Sequence, residues 1–288
     1  MARISYVNGR YIPHAKAFVH IEDRGFQFAD GIYEVIAMMN GVLIDANLHI
    51  ERLQRSLKEI SIKMPVSPST MLYIIEELRR RNNNIKKCSV YIQVTRGVSP
   101  RAHSFPAKSL KPTLIITLNK ISIPSEQEYE NGISVITLPD IRWGRCDIKS
   151  ISLLPNILAK QKAVEAGAKE AWFFEDKNVI TEGSSSNCYI IDKSGFMRTY
   201  PENENVLGGV TRKVTLSIAN NQCIKVKESP FNIEELYEAK EAFATSTTIG
   251  VMAVTKVNGK KIGTGKAGLI TKKLSKLYND RVRAITKK

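Results

Sequence analysis

From residue 47 onward the apolar residues of this 288-residue chain change period in an order that a regular strand–helix alternation cannot produce. Ile50, Leu53, Leu57 and Ile60 recur at helical spacing, and Ser67-Pro68 then opens a second helix with a capping hydroxyl and a proline in its first turn, so two successive helices are expected over 47–82. Two strand-like runs follow directly, Val90-Tyr-Ile-Gln-Val-Thr and Leu114-Ile-Ile-Thr-Leu, marked by β-branched and aromatic residues. A polar connector, Ser122-Ile-Pro-Ser, comes next. Beyond it strands are expected at Ile133–Leu138, Ala171–Glu175, Asn187–Ile191 and Ala242–Ala244. Helices are expected at Pro155–Ala166, Thr211–Asn221, Ile233–Ala239 and Ala267–Ile285. This mixed order favours an α+β fold over a doubly wound sheet, with one domain over 1–120 and a second over 121–288. Internal repeats, low-complexity tracts and a Gly-x-Gly-x-x-Gly element are all absent from the sequence.

Composition narrows the chemistry. The four cysteines, Cys88, Cys146, Cys188 and Cys223, are widely separated, which points to reduced thiols rather than a disulfide framework or a zinc knuckle. His14, His20, His49 and His103 show no ligand spacing, so no metal is expected. The N-terminus has no apolar signal core and no run is long enough to span a bilayer, so a cytoplasmic protein without membrane attachment is expected. A net charge of +15 raises nucleic acid as a partner. However, residues 1–120 carry 18 basic and 9 acidic side chains against 25 and 19 in the remainder, so neither part concentrates the charge. The short clusters Arg79-Arg80-Arg81 and Lys287-Lys288 fit a helix end and the chain end, and no aromatic-rich basic ribbon appears. Small anionic substrates suit this surface better than specific nucleic-acid binding.

Lys149, in Asp140-Ile-Arg-Trp-Gly-Arg-Cys-Asp-Ile-Lys149-Ser, is a cation among apolar neighbours with two arginines close by. Burial and neighbouring positive charge both favour a neutral amine, the form that condenses with a carbonyl. A solvated lysine on a strand edge is the competing reading. Leu207-Gly-Gly-Val-Thr211-Arg places two glycines and a hydroxyl ahead of a helix, as an anion site requires, although an ordinary loop with Thr211 as N-cap explains it equally well. Thr245-Ser-Thr-Thr248 offers more hydroxyls, or a capped turn. Arg52 adds a guanidinium on the first helix. Glu182, in Thr181-Glu-Gly-Ser-Ser-Ser-Asn187, is a carboxylate beside small residues, suited to hold a pyridinium proton if the cofactor is pyridoxal phosphate. Arg101 and His103 are two apart, so both reach one side of an extended segment and suit a substrate carboxylate, or form a solvated basic loop.

Five segments, in order, carry a resemblance over most of the chain: Glu22-Asp-Arg-Gly-Phe-Gln-Phe-Ala-Asp-Gly-Ile-Tyr33-Glu-Val, Gln93-Val-Thr-Arg-Gly-Val-Ser-Pro-Arg-Ala-His103, the Asp140–Ser150 stretch, Thr181–Asn187 and Thr245–Thr248. Together they resemble the fold-type IV pyridoxal phosphate enzymes, which include the branched-chain aminotransferases, and within them the branch that transaminates D-amino acids. The resemblance implies a smaller N-terminal α/β domain and a larger, β-barrel-like C-terminal domain with helices. It implies a Schiff base at Lys149, a pyridinium contact from Glu182, ring packing by Leu207, and phosphate contacts from Arg52, Val210, Thr211, Ser246 and Thr247. Tyr33, with Arg101 and His103 reaching across a homodimer interface, would hold the substrate carboxylate. The activity implied passes an amino group from a D-amino acid such as D-alanine to a 2-oxo acid such as 2-oxoglutarate, giving D-glutamate. The branched-chain L-aminotransferases and the aminodeoxychorismate lyases are the alternatives within the fold, and both lack the Arg-x-His pair. A catalytically silent cofactor-binding or nucleic-acid-binding protein is the alternative outside it. Two departures, Gly208 in place of a bulkier residue and the apolar Ile249–Val254 run, bear on the pocket wall.

Overall fold

The computed structural model describes residues 3–106 and 110–287. Their contacts form two compact units. The first runs to Ile121, takes back Ile148–Ser152 and takes the chain end from Ile285; the second comprises Ser122–Asp147 and Leu153–Ala284.

The first unit contains β1 (Ile4–Val7), β2 (Arg10–Pro13), the short helix α1 (Arg24–Phe28), β3 (Gly31–Met39), β4 (Val42–Leu43), α2 (Ala46–Glu59), α3 (Pro68–Arg81), β5 (Cys88–Thr95) and β6 (Thr113–Asn119). Its six strands form one sheet in the order β2-β1-β6-β5-β3-β4, with every neighbour antiparallel. Alternation sets the inner face: Val90, Ile92 and Val94 from β5, with Leu114, Ile116 and Leu118 from β6, join Ile50, Leu53 and Leu57 of α2 and Met71, Ile75 and Leu78 of α3 in one core. Ile60 falls just outside α2, as its C-terminal cap. Ser67 caps α3 as its sequence requires, accepting the Thr70 N–H at 3.1 Å, with Pro68 at the first turn. The arginine cluster at the end of α3 is paired rather than presented as a basic patch: Arg79 with Glu76, Arg80 and Arg81 with Glu77.

One of the strands that sequence periodicity missed, β3, lies between β5 and β4 in that sheet. Ile32, Glu34, Ile36 and Met38 are buried on one face while Tyr33, Val35 and Met39 on the other are half-buried and apolar as well, so the sequence shows no apolar–polar alternation, and Ala37-Met38-Met39 lack β-branching. Ile148–Ser152, which a single cut near residue 121 assigns to the C-terminal part, bonds to this strand. Tyr33 N–H donates to Lys149 O at 2.9 Å, Ile151 N–H donates to Gly31 O at 3.1 Å, and Lys149 N–H donates to Ser56 Oγ at 3.3 Å.

The second unit holds α4 (Glu126–Asn131), β7 (Ile133–Pro139), α5 (Leu154–Glu165), β8 (Glu170–Glu175), β9 (Val179–Gly183), β10 (Asn187–Ile191), β11 (Met197–Thr199), α6 (Val210–Asn221), β12 (Val226–Glu228), β13 (Phe231–Asn232), α7 (Ile233–Glu238), β14 (Glu241–Ser246), β15 (Gly250–Val257), β16 (Lys260–Lys261) and α8 (Leu269–Ile285). Its strands follow the order β12-β11-β10-β14-β15-β7-β8-β9-β13, and an added pairing of β9 with β10 closes the six between them into a barrel. The residues that meet at the closure are Glu182 and Asn187. Trp172, Ile180, Cys188, Ile190, Ala244 and Val254 fill one core of the unit, while Ala159 and Ala163 of α5 pack on Ala171 and Phe173 of β8. The Ile249–Val254 run, singled out as a departure, is largely β15, a barrel strand between β14 and β7.

Candidate active site

In the first unit the site is built on β3. Tyr33 faces the returning Lys149: its hydroxyl is 3.3 Å from Lys149 Nζ, which also lies 4.3 Å from the centre of the Tyr33 ring. Tyr91, its neighbour on β5, stacks on Tyr33 with ring centres 5.7 Å apart, and its own hydroxyl donates to Gln93 Oε1 at 2.7 Å. Burial, with Tyr33 adding to it, pushes the Tyr91 phenol up to about 12, so it stays a neutral donor.

The next residue, Glu34, is fully buried. Arg52 Nε and Nη2 donate to its two carboxylate oxygens at 2.9 and 2.7 Å, His49 Nδ1 lies 3.0 Å away, and the Val35 N–H adds a bond at 2.8 Å. Burial by itself would raise this carboxyl, but Arg52 and the His49 hydrogen bond outweigh it and hold it far below the usual carboxylate range. Arg52, expected on a phosphate, is thus bound to Glu34 through two of its nitrogens. Sequence reading overlooked Glu34 because a charge 18 residues from its partner has no local signature.

Arg101 and His103 are exposed and sit on either side of Ala102, whose carbonyl accepts from Arg24 Nη1 at 2.6 Å. Both side chains border the ring of Phe28: the Arg101 guanidinium lies 4.7 Å from its centre and the His103 ring 5.5 Å from it. The two side chains that spacing placed together are therefore together.

In the second unit Glu182, 5% exposed, is held by three donors. Arg142 Nη1 donates to Oε1, while Asn187 Nδ2 and the Leu207 N–H each donate to Oε2 at 3.1 Å. The same Arg142 bonds Asp140 through Nε at 2.9 Å and Nη2 at 2.7 Å. Burial lowers the Arg142 pKa, and the bonds to Asp140 together with the Glu182 charge more than reverse this, keeping the guanidinium charged. Arg145 pairs with Asp147, Nε to Oδ1 at 2.9 Å. The two arginines that the sequence offered as a cationic influence on Lys149 are therefore each compensated by carboxylates of their own.

The helix α6 starts on Gly209, and no side chain caps it, so Thr211 lies inside the helix rather than at the N-cap considered for it. The first N–H groups of a helix have no partner within it and face the positive end of its dipole. A Cβ on Gly209 would fall 2.1 Å from Asn187 Oδ1, so only glycine lets the chain pass here. Val210 and Thr211 are buried and Leu207 is half-buried. Ser246 ends β14, and Thr247 and Thr248 form its turn into β15. The serines of the Glu182 segment are oriented by another residue that sequence reading missed. Buried Glu170 accepts from Ser184 Oγ, from Ser185 Oγ at 2.5 Å and from the Ala171 N–H at 2.8 Å, which fastens the β9–β10 turn next to Glu182.

A lysine amine beside a phenol, a carboxylate paired with an arginine, and a glycine-opened helix start are the equipment of a phosphorylated-carbonyl cofactor enzyme. The chain belongs to the amino-transferase class IV family, which matches residues 31–257. It is 42% identical over 274 residues to a D-alanine aminotransferase of Staphylococcus haemolyticus, covering 95% of this chain and 96% of that protein. A D-alanine aminotransferase of Bacillus licheniformis is 40% identical over 281 residues, covering 98% of both. Among solved structures, a branched-chain amino acid aminotransferase of Escherichia coli superimposes with a TM-score of 0.84 at 22% identity, covering 97% of this chain and 94% of that one. A putative 4-amino-4-deoxychorismate lyase of Legionella pneumophila does so at 0.80 and 22%, covering 93% and 96%. These likenesses establish the fold-type IV architecture. The enzyme is a pyridoxal phosphate-dependent aminotransferase, and its residues fit that cofactor: a primary amine, a carboxylate paired with an arginine, and a helix start whose backbone is open because Gly209 carries no side chain. Among the described residues no group of three or more His, Cys, Asp or Glu side chains could hold a metal ion, and no helix is long and apolar enough to cross a membrane.

Proposed function

We propose that this enzyme passes the amino group of a D-amino acid, D-alanine among them, to a 2-oxo acid, with 2-oxoglutarate giving D-glutamate. The observation that carries the reading is the Arg101–His103 pair, two exposed donors turned to the same ring, in a chain about 40% identical over nearly its full length to proteins named D-alanine aminotransferase.

Pyridoxal phosphate, when bound, supplies the electron sink that lets the proton on the amino acid's α-carbon leave. The roles of the chain's own residues follow from their chemistry. Lys149 is the catalytic residue, and with the cofactor bound its amine would take the proton from the substrate's α-carbon and deliver it to the cofactor's carbonyl carbon, acting as base and then acid. The Tyr33 hydroxyl at 3.3 Å steadies that amine and, with Arg101 and His103, receives the substrate carboxylate. Glu182, bonded by Arg142, would hold a proton on the cofactor's ring nitrogen. The N–H groups of Val210 and Thr211, with the hydroxyls of Thr211, Ser246 and Thr247, donate to the phosphate, Arg52 adds charge, and Leu207 packs on the ring.

The reading includes a homodimer. It is supported by apolar side chains that a lone chain leaves in water: Phe18, Ile21 and Phe26 in the first unit, and Leu154, Ile157 and Leu158 at helical spacing on α5. A cytoplasmic setting accords with four free cysteines.

A panel of both enantiomers, followed by 2-oxo acid formation, tests the reading. D-alanine is expected to turn over and L-leucine to fail, and Lys149→Ala is expected to lose turnover. Preference for L-leucine, or pyruvate release from aminodeoxychorismate, would replace the reading with a related one.

A further inference from the structure

We infer that Asp30 is a positioning residue for substrate binding: its carboxylate clamps Arg24 and Arg96, and these two arginines fasten the loop that presents Arg101 and His103. The inference rests on the proposal that those two side chains receive the substrate carboxylate.

The loop leaves β5 at Gly97, where φ is +105° and a Cβ would fall 2.3 Å from the Lys111 carbonyl oxygen, so the turn is restricted to glycine. Its first residues run alongside the segment before α1: Arg24 N–H donates to Gly97 O at 3.0 Å and Ser99 N–H to Glu22 O at 3.3 Å. Further along, Ala102, His103 and Phe105 are engaged by side chains. Arg24 Nη1 and Nη2 donate to the carbonyls of Ala102 and His103, at 2.6 and 3.4 Å. The Arg24 guanidinium lies 4.8 Å from the centre of Phe28, the ring that Arg101 and His103 also border. Arg96 lies 3.6 Å from the centre of the Phe105 ring and is itself tied to Ile60 O at 2.8 Å.

Neither arginine would hold this place without a counter-charge. Their side chains are 3% and 9% exposed, and both donate to one oxygen of Asp30: Arg24 Nε to Oδ2 at 2.8 Å and Arg96 Nε to Oδ2 at 2.7 Å, with Arg96 Nη2 on Oδ1 at 2.9 Å. Two guanidinium groups converging on one point repel unless a carboxylate stands there. The three charges leave a net positive cluster under the loop, a field that favours an arriving carboxylate. Arg101 and His103 thus project into solvent from a base whose two arginines are buried, and their geometry is set before substrate arrives. The Glu22–Gly31 stretch, to which the sequence assigned no task of its own, carries Arg24 and Asp30 of this base.

The test compares Asp30→Asn, Arg101→Ala and the double variant of the holoenzyme in steady-state turnover of D-alanine. Loss of a placed carboxylate contact removes binding shared by ground and transition state, so it appears in KM. Arg101→Ala is expected to raise KM by about ten- to a hundredfold. Asp30→Asn is expected to raise it by a smaller factor with a much smaller change in kcat, and the double variant to fall clearly short of the product of the two single penalties, since only His103 is left for Asp30 to place. Multiplying penalties, or a fall in kcat with KM unchanged, would overturn the inference by showing that Asp30 serves the fold generally. If Asp30→Asn does not fold, Arg24→Lys keeps the charge beside Asp30 but removes the fork on Ala102 and His103. It must show the same KM signature, and its absence overturns the inference. Should Arg101→Ala leave KM unchanged, the carboxylate reading itself has failed. Amide exchange over residues 98–105 then decides the anchoring role separately, since it must accelerate in Asp30→Asn and stay unchanged in Arg101→Ala.

Discussion

Replacing Glu34 with glutamine removes one buried charge from beneath the candidate site while keeping its shape. The carboxylate has no exposed surface, and the Arg52 side chain opposite it is only 9% exposed. Taking away one partner of a buried ion pair strands the other, at a cost of about 3–5 kcal/mol. The pH dependence is fixed by sign. Arg52 and His49 overcome the effect of burial and depress the Glu34 pKa, so the folded protein binds this proton more weakly than the unfolded chain. The stabilisation is complete above the unfolded value of about 4.3 and is lost as pH falls toward the folded one. With the folded carboxyl still ionised, the gap between wild type and Glu34→Gln narrows by about 0.6 kcal/mol at pH 4 and about 1.8 kcal/mol at pH 3. Both tryptophans, Trp143 and Trp172, lie in the second unit, so intrinsic fluorescence follows the wrong part of the chain. The suitable assay is hydrogen exchange of the β3 and β5 amides in urea, corrected for the pH dependence of intrinsic exchange. A loss below about 1 kcal/mol at pH 7, or a gap that does not shrink in acid, refutes the argument that charge pairing rather than shape is what Glu34 contributes.

Arg142→Lys exchanges a planar fork for a point charge that cannot hold Asp140 and Glu182 at once. With about 1.5–3 kcal/mol lost per charged hydrogen bond, kcat/KM for D-alanine should fall about ten- to a hundredfold, and an unchanged value would remove Arg142 from the account. Gly209→Ala drives a methyl into Asn187, which also donates to Glu182 and to the Leu207 carbonyl. Pyridoxal phosphate affinity, titrated by absorbance, should drop about tenfold or more, while wild-type affinity in the variant would show that the helix start does not hold the phosphate.

Much of the fold was legible because it is written locally. Ser67 caps α3 through a hydroxyl that accepts from the N–H three residues on, and the β5 and β6 runs alternate because one face is core. The helices expected at 155–166, 211–221 and 233–239 appear within a residue of their expected ends, since periodicity and caps act over one or two turns. Strands β3 and β15 escaped for the opposite reason: a strand with apolar residues on both faces has no polar side to set its period. For the site, sequence singled out Lys149, Tyr33, Glu182 and the Arg101–His103 pair, and the first two do meet.

Sequence by itself determined which side chains are chemically equipped, an amine, a carboxylate, a guanidinium with an imidazole, and which glycines leave backbone open. It did not determine their partners. Glu34 with Arg52, Asp30 with Arg24 and Arg96, and Glu182 with Arg142 are joined across 18, up to 66 and 40 residues. The return of Ile148–Ser152 to β3 is equally non-local. Such pairings were decided only by the tertiary structure. A buried charge takes whichever counter-charge the packing brings within hydrogen-bond reach, and that choice leaves no trace in nearest neighbours along the chain.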